Sequence, residues 1–201
     1  MKKRLLGLFL CSGLVLPGLR AVEINFTSPA FEIGTTSLHA LLTSGFTFSL
    51  GSFGSFTPTV GNVTQWQGNF SCLGLIAWNT DFTQYSQTTT LAANTAPFGT
   101  TTLAYVWGYN SQSVSPGSEW ILLKNPNWLF PASDTLLPVF WDASDPGTIA
   151  IVGHLGLAQV SSDPYLQTAS VGPSVPEPAT YAAIFGAVAL GFAAYKRRRA
   201  D

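Results

Sequence analysis

The sequence predicts a mainly β chain: one antiparallel β-sandwich-like extracytoplasmic domain with a short helix, flanked by an apolar segment at each end. Three observations carry that expectation. Charged residues make up 9% of the chain, and 19 serines and 21 threonines supply the polarity instead. Short runs alternate apolar and polar residues between Pro, Gly, Asn and Asp turns, the pattern of half-buried strands. The bases gather at the two ends and leave the body almost without cations.

Phe46 to Leu50 alternates apolar and polar and reads as a strand. Leu103, Tyr105, Trp107 and Tyr109 form one face of a second. Ser115-Pro116-Gly117-Ser118 then supplies turn chemistry, with Pro suited to the first central position and Gly to the second. Glu119 to Lys124 returns as a buried strand, so these two should form a hairpin that stops at Asn125-Pro126-Asn127. A second hairpin is expected from Pro138–Asp142, a turn at Asp145-Pro146-Gly147, and Thr148–Leu157. In that last strand Ile149, Ile151, Leu155 and Leu157 should share a face. Val63, Trp66, Phe70 and Leu73 instead recur at helical steps, with Asn62 as N-cap and Gly74 as stop.

Charge excludes one class of partner. Between residues 22 and 174 the single base Lys124 faces eight acids, a net charge of −7. Such a body has no electrostatic footprint for nucleic acid. Cysteine excludes another feature. If Cys11 leaves with a leader, Cys72 stands alone and no intramolecular disulfide can form. We expect Cys72, beside Phe70 and Leu73, to be a small buried hydrophobe.

The termini read as membrane segments. Lys2-Lys3-Arg4 followed by apolar Leu5 to Leu16 is the pattern of a secretory signal peptide, with cleavage expected after Ala21. Leu10 is too bulky for a lipobox before Cys11. Ala179 to Tyr195 is seventeen uncharged residues, about 25 Å as a helix. That is short for a bilayer core of roughly 30 Å, yet the stretch is apolar all round. Lys196, Arg197, Arg198 and Arg199 end it, and by the positive-inside rule that cluster stays cytoplasmic. The body must then lie on the far side. Pro176 and Pro178 hold the chain extended just before the span.

Pro176-Glu177-Pro178, the short span and the terminal basic cluster together resemble the PEP-CTERM sorting signal. The resemblance covers roughly residues 175 to 199. It implies a Gram-negative host that makes exopolysaccharide, a cleaved N-terminal signal, and an exosortase-like enzyme that cuts near Pro176-Glu177-Pro178. Taken with the strand pattern of the body and the polar, turn-rich run from Ser161 to Ser174, the expected organisation is a signal peptide over 1–21, a β-rich domain over 22–160, a linker over 161–174 and a sorting signal over 175–201 with transmembrane helix 179–195. The implied route is an inner-membrane-anchored precursor, then the cell surface or extracellular space.

The body offers little chemistry. Asp142 and Asp145 flank a turn, where side-chain caps explain them more simply than acid–base work or calcium binding. His154 should sit on a strand face away from the Ile/Leu stripe, as a surface residue. No nucleophile elbow and no phosphate loop occurs, and Cys and His are too few for a zinc site. We therefore expect no catalytic residues, no metal and no cofactor. Exposed aromatic faces stack on sugars, and of six tryptophans Trp128, after its turn, is the candidate glycan contact. The expectation is a non-enzymatic surface or matrix protein associated with exopolysaccharide. The alternatives are a lectin-like module and, last, a hydrolase using Asp142, Asp145 or His154.

Overall fold

A computed structural model describes residues 21–92, 94–132, 135, 137–157, 163–172, 185–188 and 190. The body is mainly β. Its first strands are β1 (Val22–Thr27), β2 (Gly34–Thr35) and β3 (Thr47–Ser52). A 3-10 turn over Val60–Gln65 runs into one turn of helix, α1 (Trp66–Asn69). Then come β4 (Ser71–Ala77), β5 (Ser86–Leu91), β6 (Leu103–Tyr109) and β7 (Glu119–Leu129). The chain goes on through β8 (Val139–Asp142), β9 (Ile149–Val152), β10 (His154–Leu155), β11 (Leu166–Gln167) and β12 (Ala169–Ser170).

Strands β12, β7, β6, β3 and β4 lie in that order in the main sheet, with β9 also paired to β7. Two smaller sheets have the orders β5-β1-β8 and β10-β11-β2. The expected hairpin of β6 and β7 forms, antiparallel, with Val106 opposite Leu123. The pairing is not antiparallel throughout, because β1 runs parallel to β8 and β11 parallel to β2.

Through β3, β6 and the first half of β7 the main sheet is buried on both faces, which explains why these strands are apolar on both. One face, with Phe48, Leu50, Val106, Ile121 and Leu123, shares a core with Ile24 and Phe26 of β1. The other carries Tyr105, Trp107, Trp120 and Leu122 and is capped by Phe53 and Trp66. Leu103 and Tyr109 pack against that second cluster, so the predicted β6 stripe lies on one side as expected. Small polar residues fit beneath the rings: Ser49 is fully buried, with its Oγ 3.0 Å from the Tyr109 hydroxyl.

Several expectations need correction. The helix ends at Asn69 and Leu73 belongs to β4, because pairing with β3 outweighs the helical spacing. Asn62 is not the N-cap; Thr59 holds that place, and Asn62 Oδ1 accepts the Thr59 N–H at 2.8 Å. Strand β7 runs on past Asn125-Pro126-Asn127, with an irregularity that moves the partner from Lys124 to Leu129. Pro138–Asp142 and Thr148–Leu157 form no hairpin. The first pairs with β1 and the second with β7, so the Asp145-Pro146-Gly147 turn joins two sheets. Gly153, at φ +83, splits the last run. Ile151 therefore packs on the second cluster, Leu155 on the first, and Ile149 and Leu157 are exposed.

The expected linker is also structured where it is described. Leu166 pairs with Gly34 and Ala169 with Trp120, and Tyr165, Leu166 and Thr168 are buried. Cys72 is exposed rather than buried, since alternation along β4 turns it away from the core. Residual desolvation still raises its thiol above the ordinary value.

Candidate functional site

Pro176, Glu177, Pro178, Lys196, Arg197, Arg198 and Arg199 lie outside the described residues. Ala21 is the first described residue, exposed and immediately before β1. Of the expected span, residues 185–188 and 190 are described, all helical and exposed. Phe185, Val188 and Leu190 are among them. Among the described residues no helix is long and apolar enough to cross a membrane.

Inside the body, Asp142 and Asp145 do come together, as architecture. Asp145 Oδ2 accepts the Asp142 N–H at 3.0 Å and the Trp128 indole N–H at 2.9 Å. Asp142 Oδ1 accepts the N–H and hydroxyl of Ser144. Asn125 Nδ2 donates to Pro146 O and Thr148 Oγ1 across the same turn. These carboxylates cap a turn, as the sequence suggests.

Trp128 is not the exposed platform expected of it. It is 1% accessible, stacked near Trp141 with ring centroids 6.3 Å apart. Because β7 continues past the Asn-Pro-Asn segment, the tryptophan falls inside the core rather than on a loop. A glycan contact at Trp128 is thereby excluded in this fold.

His154 is exposed on β10, as predicted, and lines a depression of about 220 Å³ with Asp163. It sits opposite Gln167, whose Nε2 is 3.3 Å from His39 Nδ1. The two histidines are thus neighbours of one glutamine, a relation invisible in the sequence. Among the described residues no group of three or more His, Cys, Asp or Glu could hold a metal.

Sequence reasoning missed Glu119. Its side chain is 8% accessible and faces hydrogen-bond donors only. Oε2 accepts from the Ser37 N–H at 3.0 Å and the Thr168 hydroxyl at 2.6 Å, and Oε1 from the Ser37 hydroxyl. One carboxylate thereby ties the 36–40 loop and the segment before β12 to β7. A single acid opening the apolar run Trp120 to Leu123 was the available signal.

In the body Asp142, Asp145 and Glu119 are taken up by hydrogen bonds that hold the fold, and the segment with a recognisable role is the C-terminal one. The chain is an exported protein bearing a C-terminal sorting signal. That signal is a PEP-CTERM protein-sorting motif, matched over residues 174–199, and it implies recognition by an exosortase-like processing enzyme. No curated protein and no solved structure matches the chain.

Proposed function

We propose that this is a non-enzymatic surface or matrix protein, held first by a C-terminal inner-membrane anchor and associated in its mature form with exopolysaccharide. The observation that carries the reading is the sorting motif at 174–199. Cleavage by an exosortase-like enzyme beside Pro176-Glu177-Pro178 releases or re-attaches the acidic body. Glu177 serves as the recognition charge, presented on backbone that two prolines keep out of helix. Arg197 to Arg199 set the topology. The apolar helical residues Phe185, Val188 and Leu190 are exposed to the surroundings, which suits a segment built for lipid. Asp142 and Asp145, the best acid–base candidates, are committed to backbone and indole N–H groups, which disfavours a hydrolase.

Intact-mass measurement of the mature protein from its native host tests the reading. A C-terminus near Pro178 is expected. A chain still ending at Asp201, in a strain that processes other such substrates, would overturn it. Glu177→Ala combined with deletion of Arg197 to Arg199 should abolish surface localisation.

A further inference from the structure

Sheet β5-β1-β8 buries Val22, Ile24, Phe26, Leu91 and Trp141 in the first core. Alternation along each strand therefore defines an opposite face. Its register places Thr88, Asn25 and Phe140 in one row across the three strands. Thr90 and Glu23 form the row on one side, and Ser86, Thr27 and Asp142 the row on the other.

Polarity is graded across these rows. The β5 edge presents exposed hydroxyls, and the centre carries Glu23 and the Asn25 amide. The β8 edge presents Phe140, 70% accessible, with Asp142 two residues along on the same face. The Thr88 hydroxyl donates to Asn25 Oδ1 at 2.6 Å. That fixes the amide with Oδ1 as acceptor toward β5 and Nδ2 as its donor.

A matching ligand needs an apolar face beside groups that donate and accept hydrogen bonds, and no negative charge. Glu23 and Asp142 stand on this face, and the body's single base, Lys124, belongs to β7 in the main sheet. Acidic polymers and anionic lipid are repelled, and a second copy of this face would set acid against acid. A pyranose ring has the required form, with C–H groups on its faces and hydroxyls around its rim. We propose that this face binds a neutral polysaccharide. Phe140 stacks on a sugar ring while Asn25, Thr88 and Thr90 bond its hydroxyls. The inference rests on the polysaccharide-associated reading above and names the surface responsible.

The test is affinity electrophoresis of the detergent-solubilised full chain in native gels containing hydroxyethylcellulose, dextran or alginate. Retardation by at least one of the two neutral polymers is expected, and about tenfold weaker apparent affinity for Phe140→Ala, the worth of one stacked ring. Phe31→Ala, another exposed aromatic outside this sheet, should bind as wild type. No retardation by either neutral polymer, retardation by alginate alone, or unchanged binding of Phe140→Ala would each overturn the proposal. Emission from the buried tryptophans reports folding, and Asn25→Ala carries the same test should Phe140→Ala not fold. C-terminal processing is read separately by mass, so lost polymer binding with normal processing removes this inference and leaves the sorting reading standing.

Discussion

The Trp128 indole N–H donates to Asp145 Oδ2 across the turn that carries the chain from one sheet to another. One carboxylate oxygen thus satisfies a buried indole and the Asp142 amide together. Asp145→Ala should destabilise the protein by about 2–4 kcal/mol, since buried donors left without a charged acceptor are costly. Urea unfolding followed by tryptophan emission measures it. A change below about 0.5 kcal/mol would mean that solvent replaces the carboxylate at no cost.

Glu119 holds Ser37 and Thr168, from segments far apart in sequence, against β7. Glu119→Ala should cost about 2–4 kcal/mol. Its signature in hydrogen exchange is faster exchange confined to residues 34–42 and 166–170. Uniform loss of protection over the whole body would argue that this carboxylate supports the core itself.

Gly153 combines φ +83 with a close approach: a Cβ built there lies 2.6 Å from the Gln167 carbonyl oxygen. Neither the left-handed backbone nor that backbone contact tolerates a side chain. Gly153→Ala should therefore lower stability by about 1–3 kcal/mol. Gly68→Ala, with nothing within 4 Å of its Cβ, is the matched control and should be neutral or slightly stabilising in thermal melts.

Two buried tyrosines set an alkaline limit. Desolvation raises the phenols of Tyr85 and Tyr165 above their ordinary value, and the Asp142 and Asp145 charges push the same way. The unfolded chain releases these protons near pH 10 while the folded chain keeps them. Stability is then fully present below pH 10 and falls above it, by up to about 2.7 kcal/mol per pH unit for the pair. Absorbance at 295 nm during alkaline titration should show the Tyr85 and Tyr165 phenols ionising only with unfolding. Tyr165→Phe should remove one of them and make the slope shallower.

The termini and the body differ in how much their sequence reveals. A sorting motif is a one-dimensional object, recognised by residue type, charge and order along the chain. The sorting motif is therefore readable from Pro176 to Arg199 without any fold. Local pattern also identified β3, β6, the first part of β7 and the capping role of Asp142 and Asp145, since alternation and turn chemistry act over a few residues.

What only the tertiary structure decided is partnership between distant segments. Strand β8 could pair with its sequence neighbour or with β1, and nothing in Val139 to Asp142 distinguishes the two. The choice follows from burial: pairing with β1 places Trp141 in the core beside Trp128 and Phe130, and leaves Phe140 in solvent. The same cooperation draws Trp128 inward, recruits Leu166 and Thr168 from an expected linker, and closes Glu119 over Ser37. Sequence determined the sorting motif that this protein carries, because that motif is defined by the order of residues along the chain. Long-range packing decided which residues of its body are left to meet a ligand.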